Sequence, residues 1–147
     1  MANPSRDKGT RAESATVGYL FTRGITSTRA PQHGNQDRGD VWAHPTAHGY
    51  RLMIEVKAGE QAANPSMRQV QEWQAETDAE AARVPDCDAA VLLLKRKGSA
   101  DPATWPAWVR IGDVESWHRP NLPSSDWAYQ WVCLPFGQLI DHLGCTP

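Results

Sequence analysis

The sequence predicts a mixed α/β fold, and three features of its apolar pattern support this prediction. Residues 11–23 and 67–83 place apolar side chains at helical spacing, which is typical of amphipathic helices. Residues 50–57 alternate apolar and polar side chains with a period of two, which indicates a half-buried strand. Residues 89–94 form a continuous apolar run, which is typical of a strand buried on both faces. Helices and strands that alternate in this way build a mixed α/β core.

The first half of the chain is expected to form one helix and three strands. In the helix, Val17, Leu20 and Phe21 recur at helical spacing, and Gly24 ends it. The strands are expected at residues 25–29, 40–43 and 50–57, separated by a polar loop at 32–39 and a turn between Pro45 and Gly49.

The second half is expected to contribute a long helix, a buried strand and several shorter elements. After a loop at 59–65, Ser66 is the expected N-cap, and Gln69 three positions later completes a capping box ahead of helix 67–83. The remaining elements are a strand at 89–95, a basic turn at 95–98, strands at 109–111 and 131–134, and a terminal helix at 136–143. The Pro-, Ser- and Trp-rich segment 112–126 has no assigned structure.

Composition limits the kind of protein that the chain can be. Its 147 residues, of which 40% are hydrophobic, suffice for a single domain, with a core over about 6–112 and a C-terminal extension over 113–147. No apolar run approaches the roughly 20 residues that span a bilayer. The polar N-terminal stretch carries no export signal, so we expect a cytoplasmic protein without membrane association. Three widely spaced cysteines indicate reduced thiols.

Charge is distributed unevenly along the chain. The formal net charge is −2, yet residues 1–39 carry six basic against three acidic side chains, and residues 101–147 carry two basic against five acidic ones. This asymmetry is typical of a phosphate-facing side, although a solvated basic N-terminus has the same composition. The run Lys95–Arg96–Lys97 has two similar interpretations, a contact with backbone phosphates or a basic turn exposed to solvent.

Asp40, Glu55 and Lys57 form the most informative combination. Side chains two apart on a strand share a face, so Glu55 and Lys57 point away from the apolar residues that alternate with them. If the strand at 40–43 pairs with the strand at 50–57, Asp40 and Glu55 converge near Lys57. Two carboxylates with water and a phosphate oxygen suit Mg²⁺, and a lysine beside them can stabilise a phosphoryl transition state. The pattern indicates metal-assisted phosphodiester hydrolysis, with an exposed salt-bridging pair as the alternative.

Glu13 lies on the apolar side of the first helix, one turn ahead of Val17. A carboxylate on a buried face needs a partner, which a metal ion or a lysine at the strand ends would supply. Near the start of a helix, the same charge would instead favour the helix dipole. Position alone leaves both interpretations open.

The sequence resembles the PD-(D/E)XK nuclease superfamily and, within it, the archaeal-type Holliday junction resolvases and their phage-encoded relatives. The resemblance covers roughly residues 6–97 and rests on an ordered set of motifs. These are Lys8–Gly9, Glu13, Arg29, Gly39–Asp40, Ile54–Glu55–Val56–Lys57 and Gln69. The resemblance implies a restriction-endonuclease-like core of one helix, a three-stranded meander, a second helix and a further strand, with a mixed central sheet.

The resemblance also implies roles for individual residues. Asp40 and Glu55, with the main-chain carbonyl of Val56, would hold Mg²⁺, for which Mn²⁺ could substitute. Lys57 would be the catalytic lysine. Glu13 would hold a water on the metal or a second ion, and Gln69 would reach back toward the site. The basic residues expected to contact DNA are Lys8, Arg11, Arg29 and Arg38.

We therefore expect a Mg²⁺-dependent DNA endonuclease, a Holliday junction resolvase that acts on branched DNA as a homodimer, encoded by a bacteriophage or a bacterium. The alternatives are the same nuclease core acting on flaps, ends or duplex DNA, and a catalytically idle DNA-binding module of this fold. Two departures stand out in the motifs. Gly39 precedes Asp40 where proline is common, and Asp37 is a competing acid nearby.

The tryptophans offer a further candidate contact with nucleic acid. Trp73, at helical spacing, is expected in the core. Trp105, Trp108 and Trp117 lie in irregular sequence, where a ring could stack on an unpaired base or anchor a dimer.

Overall fold

The computed structural model describes residues 4–30, 39–44, 50–118 and 129–142, and these contain five α-helices and six strands. The helices are α1 Pro4–Thr22, α2 Glu60–Ala63, α3 Met67–Ala81, α4 Ile111–His118 and α5 Phe136–His142, with a turn of 3₁₀ helix at Pro102–Thr104. The strands are β1 Thr26–Arg29, β2 Val41–His44, β3 Leu52–Lys57, β4 Ala89–Leu94, β5 Pro106–Arg110 and β6 Trp131–Pro135. The predicted α/β class with a mixed sheet is confirmed.

The six strands form one sheet in the order β1-β2-β3-β4-β5-β6. The first three strands are an antiparallel meander. β3 and β4 are parallel, which requires the long crossover through α3, and β5 and β6 continue the sheet in antiparallel pairing. The parallel pair places the C-terminal ends of β3 and β4 side by side, with Lys57 opposite Leu94.

The sheet buries a separate apolar cluster on each face. On one face, residues of α1 and α5 pack against Ile54 and its neighbours. Phe136 of α5 is fully buried there, so the stretch expected as a C-terminal extension contributes to the main core. On the other face, Val70 and Trp73 of α3 pack against Leu92 of β4. The two faces therefore carry different helices, and each functional side chain can be assigned to one of them.

The structure corrects several of the predicted elements, among them the strand predicted at 109–111, which is found as β5 at Pro106–Arg110. α1 begins at Pro4 rather than at Arg11, because its first turns are polar and carry no apolar period, while proline suits the first turn of a helix. The short helix α2 lies in the stretch predicted as a loop at 59–65, and α4 occupies part of the unassigned segment 112–126. Most of the predicted loop at 32–39 and the Pro45–Gly49 turn lie outside the described residues. None of the described helices is long and apolar enough to cross a membrane.

Ser66 caps α3 through one half of the predicted capping box. Its side-chain oxygen accepts a hydrogen bond from the main-chain N–H of Gln69 at 3.1 Å, whereas the side chain of Gln69 donates to Glu72 at 3.5 Å. Replacing Ser66 by alanine is therefore expected to lower the free energy of unfolding by about 1 kcal/mol. The change Gln69→Ala should cost only a few tenths of a kcal/mol. Urea unfolding compares the two variants, and equal losses would contradict this assignment.

Candidate active site

The candidate site lies where β2 begins beside the C-terminal half of β3. Val41 of β2 pairs with Ile54 of β3, so the register places Asp40 opposite Glu55. Hydrogen bonds to β3 hold Asp40 there. Its main-chain N–H donates to the carbonyl of Ile54 at 3.1 Å, and its Oδ2 accepts the main-chain N–H of Val56 at 2.8 Å. The fold thus brings Asp40, Glu55 and Val56 to neighbouring positions.

Glu55 and Lys57 extend from β3 toward α3. Glu55 is the register partner of Leu92, which packs under α3, and only 4% of Glu55 is exposed. The Nζ of Lys57 lies 3.1 Å from Oε1 of Glu55 and 3.2 Å from Oε2 of Glu76 on α3. It also lies 5.9 Å from the centre of the Trp73 ring, within reach of a cation–π contact. One ammonium group is therefore held between two carboxyl groups and an aromatic face.

Burial dominates the electrostatics of Glu55. Removal from water, followed by a side-chain hydrogen bond with Glu80, raises the pKa of Glu55 to about 9, although Lys57 opposes this shift. Burial by itself would lower the pKa of Lys57, but the carboxyl groups of Glu55 and Glu76 outweigh it, and the pKa of Lys57 is raised. Glu55 is therefore protonated at neutral pH when no further cation approaches it. A cation placed beside it would favour its charged form.

The donor set of the site fits a hard cation. Oε2 of Glu55 is buried and receives no N–H or O–H donor from the described residues. The neighbouring Glu80 carboxyl can satisfy it only while a proton lies between the two acids, and a cation is the other group that would satisfy the ionised form. Mg²⁺ binds oxygen and commonly takes one or two carboxylates, the rest of its shell being water and phosphate. Asp40, Glu55 and the Val56 carbonyl offer oxygens of this kind at neighbouring positions of β2 and β3. Within the described ranges, no group of three or more His, Cys, Asp or Glu side chains is arranged to hold a metal ion. The site therefore offers a pair of carboxylates rather than an all-protein cage.

Glu13 is not brought to the α3 side of the sheet. It lies in the middle of α1, on the opposite face, and its Oε2 accepts hydrogen bonds from Nε of Arg29 at 2.9 Å and from Nη2 at 2.8 Å. The helix-dipole interpretation does not apply, because α1 begins at Pro4 and Glu13 lies more than two turns from that end. Any contact of Glu13 with a metal ion, or of Arg29 with phosphate, would require this ion pair to open.

Two glutamates of α3 belong to the site although the sequence analysis did not single them out. Glu76 contacts Lys57 directly, and Glu80, 6% exposed, raises the pKa of Glu55. The signal for Glu80 was present in the sequence. It lies three residues after Thr77 and therefore on the buried stripe of α3, where a carboxyl group needs a partner just as Glu13 does.

Among the described residues, Gln69, Lys8 and Arg11 form no hydrogen bond or ion pair with Glu55 or Lys57. Gln69 lies in the first turn of α3, and its side-chain amide donates to Glu72 at 3.5 Å. Lys8 and Arg11 line a groove beside α1. Arg38 and the competing acid Asp37 lie outside the described residues.

Gly39 has a structural reason to stand before Asp40. Its φ of 80° is in the left-handed region, and a Cβ there would lie 2.0 Å from Sδ of the fully buried Met53. We expect Gly39→Ala to lower the free energy of unfolding by about 2–4 kcal/mol, because backbone strain and overpacking add. It should also slow cleavage by displacing Asp40.

Gly24 offers a matched control for this substitution. Its φ is 73°, but a Cβ there would meet no atom within 4 Å. Gly24→Ala should therefore cost only about 1 kcal/mol in chemical denaturation. Equal losses for the two variants would show that the Met53 contact does not matter.

Comparison with known proteins finds similarity to solved structures. No protein-family model matches the chain, and no match is found among curated proteins. Among solved structures, the chain is similar to a Holliday junction resolvase from the archaeal hyperthermophile Archaeoglobus fulgidus. The two are 21% identical, the TM-score is 0.42, and the alignment covers 67% of this chain and 74% of that one. The neighbour is a protein of the kind that the sequence resembles, and the chemistry of this chain is inferred below from its own side chains.

Proposed function

We propose that this protein is a Mg²⁺-dependent DNA endonuclease that hydrolyses phosphodiester bonds in branched DNA, in the manner of a Holliday junction resolvase. The observation that supports the proposal is one arrangement at the end of β3. Asp40 is hydrogen-bonded beside Glu55, and Lys57 lies 3.1 Å from that buried carboxyl. Buried carboxyl groups with strongly raised pKa values and a specific charge partner are concentrated at functional sites.

The residues of the site have separate chemical roles. Asp40, Glu55 and the carbonyl of Val56 would hold the ion. Mg²⁺, when bound, neutralises charge on the scissile phosphate and lowers the pKa of a water molecule. Lys57 places a positive charge at the end of β3, where it stabilises the negative charge that develops on the phosphate oxygens.

Two features of the site make this arrangement rigid. The hydrogen bond from the main-chain N–H of Val56 to Oδ2 of Asp40 fixes this carboxylate before any ligand arrives. Glu76 holds the Nζ of Lys57 from the α3 side, so the ammonium group has a defined direction. Preorganised charge of this kind contributes to the transition state without reorganisation during the reaction.

The alternatives are the same core acting on flaps, ends or duplex DNA, and an idle DNA-binding module. An idle module has no use for a buried carboxyl beside a lysine, because desolvating such a pair costs stability that apolar residues would not. The catalytic proposal is therefore favoured over the module. The shape of the DNA substrate is inferred only from the resemblance of the motifs.

One cleavage experiment tests the proposal and separates its alternatives. The full chain is incubated with end-labelled four-way junction, flap, duplex and single strand, each with Mg²⁺ or with EDTA. We expect Mg²⁺-dependent cutting that is fastest on the junction and that Asp40→Asn abolishes. Equal cutting of junction and duplex would remove the resolvase assignment and retain the nuclease. Binding without cutting in all conditions would support the idle module.

A resolvase that cuts two opposed strands needs two sites related by two-fold symmetry, so we propose a homodimer. Sedimentation of the chain alone and with the junction measures this. A monomer that resolves junctions with paired cuts would contradict it.

A further inference from the structure

Lys57 is held between a buried carboxyl group and an exposed one. Its Nζ lies 3.1 Å from Oε1 of Glu55 on β3 and 3.2 Å from Oε2 of Glu76 on α3. The side chain of Glu55 is 5% exposed, that of Lys57 is 23% exposed and that of Glu76 is 54% exposed. The three groups therefore form a short path from the interior of the site to its solvent-exposed edge, with the ammonium group in the middle.

The α3 end of this path is built from two neighbouring residues of one helix. Trp73 and Glu76 are three positions apart, so their side chains lie side by side on the helix surface. The Trp73 ring is buried against β4, and its centre lies 5.9 Å from Nζ of Lys57. An ammonium group that moves toward Glu76 therefore stays beside an aromatic ring, whose face attracts cations.

Glu76 is the carboxylate of α3 that is placed to take the whole charge of Lys57. Within the described part of the chain, it forms an ion pair with Lys57 and with no other cation. The other acidic side chains of the helix have partners of their own, namely Arg68 for Glu72, Arg110 for Asp78 and Glu55 for Glu80.

A metal ion at Glu55 changes the balance of charge around Lys57. Oε1 of Glu55 is already in contact with the ammonium group, so a divalent cation and Lys57 share one carboxylate. The ion repels the ammonium group and offsets the negative charge that holds it, whereas Glu76 keeps its full attraction. The forces on Lys57 then favour Glu76 over Glu55.

We propose that Lys57 shifts from Glu55 toward Glu76 when a divalent cation binds the site, and that Glu76 is the positioning residue that receives it. The proposal rests on the proposed nuclease function for the identity of the cation. Because Glu76 lies at the exposed edge, the shift brings the ammonium group to the side that solvent and a phosphate group reach. Metal binding thereby readies the lysine, and without metal Glu55 retains it.

Mg²⁺ binding in the absence of DNA tests the role of Glu76 without any cleavage. Isothermal titration calorimetry measures the Kd of the full chain and of Glu76→Gln for Mg²⁺. We expect Glu76→Gln to weaken Mg²⁺ binding about 3- to 5-fold, because the ammonium group loses its second partner and competes more strongly for Glu55. Glu72→Gln removes the same charge one turn away and should leave the Kd unchanged. Equal effects of the two variants would overturn the role of Glu76.

The same measurement in a Lys57→Met background separates positioning from direct attraction of the ion by a negative charge. If Glu76 acts through Lys57, Glu76→Gln has no effect on the Kd for Mg²⁺ once the ammonium group is absent. An equal weakening in both backgrounds would show that Glu76 acts on the ion directly, and the proposal would fail.

NMR of the full chain with ¹³C at the ε carbon of lysine measures the position of Lys57 itself. The chain has four lysines, and the signal of Lys57 is the one that Lys57→Met removes. The ring current of Trp73 displaces this signal while Lys57 lies against α3. With Mg²⁺, we expect the signal to remain displaced in wild type and to approach that of a solvated lysine in Glu76→Gln. The same approach in wild type would contradict a shift toward Glu76.

The outcomes for the lysine shift and for the enzyme are distinguishable. If Mg²⁺ binding depends on Glu76 through Lys57 and the wild-type chain never cuts DNA, the shift stands and the nuclease fails. If the wild-type chain cuts DNA and Glu76→Gln binds Mg²⁺ as tightly as wild type, the nuclease stands and the shift fails. A wild-type chain that binds no Mg²⁺ would overturn the shift whatever the cleavage result.

Discussion

Replacing Lys57 by alanine is expected to reduce the rate of Mg²⁺-dependent DNA cleavage by about 10²- to 10³-fold, the usual effect of removing one preorganised donor to a developing negative charge. The reason is local. Lys57 ends β3 between Glu55 and Glu76, and its ammonium group is held 3.1 Å from the Glu55 carboxyl. The rate is measured in single turnovers with enzyme in excess over DNA, so that weaker binding does not enter the result.

Two further variants distinguish the catalytic role of Lys57 from a general effect of losing positive charge. Arg68→Ala removes an exposed positive charge from α3, where Arg68 pairs with Glu72, and should leave the cleavage rate unchanged. Lys57→Arg keeps the charge and should retain part of the rate. Urea unfolding of Lys57→Ala establishes that the variant is folded. A folded Lys57→Ala enzyme that cuts at the wild-type rate would remove Lys57 from the mechanism.

Much of the fold follows from local pattern. The period of two in β3, the continuous apolar run in β4 and the stripe of α3 each predict the element found, because burial on one or both faces dictates those periods. The elements that pattern misses have other causes. α2 is a single turn with one buried residue, Ala62. The first turns of α1 carry mostly polar side chains, so no apolar stripe indicates a buried helical face there.

Within the candidate site, only the contacts that follow from strand register could be predicted from the sequence. The alternation in β3 puts Glu55 and Lys57 together, and pairing of β2 with β3 brings Asp40 to them. The contacts of Glu76 and Glu80 depend on how α3 packs across the sheet, which no local spacing specifies. The ion pair of Glu13 with Arg29 likewise depends on the docking of α1 onto β1. Tertiary packing thus supplies the half of the site that sequence pattern leaves open.

Replacing Glu55 by glutamine is expected to abolish cleavage and, in the absence of metal, to stabilise the protein at alkaline pH. The pKa of Glu55 is raised from 4.5 to about 9, first by burial and then by Glu80. Below pH 4.5 the folded and unfolded states both carry the proton, and the stabilisation from the raised pKa is fully present. As the pH rises toward 9, the folded state holds a proton that the unfolded state releases, so this stabilisation is lost.

Glutamine keeps the shape of the protonated acid and cannot ionise, so the stability of the variant does not fall as the pH rises toward 9. At pH 8 it should unfold with a free energy on the order of 2 kcal/mol higher than wild type, and the two proteins should converge near pH 4. Chemical denaturation in EDTA at the two pH values measures the difference. Glu76→Gln is the matched control, because Glu76 contacts the same lysine but is exposed and should show no such gain.

Addition of Mg²⁺ should reverse the order of stability between wild type and Glu55→Gln. An ion that binds only the folded state stabilises it by an amount that grows with the logarithm of one plus the ratio of its concentration to its Kd. Wild type should therefore gain stability with Mg²⁺ concentration, and gain more at pH 8 than at pH 6, because the ion competes with the proton for the same buried carboxyl. Glu55→Gln, which lacks that ligand, should not respond. If Glu55→Gln proved less stable than wild type at pH 8 in EDTA, Glu55 would be ionised and held by Lys57. The arrangement would then be a structural ion pair rather than a site that gives up stability to hold a metal ion.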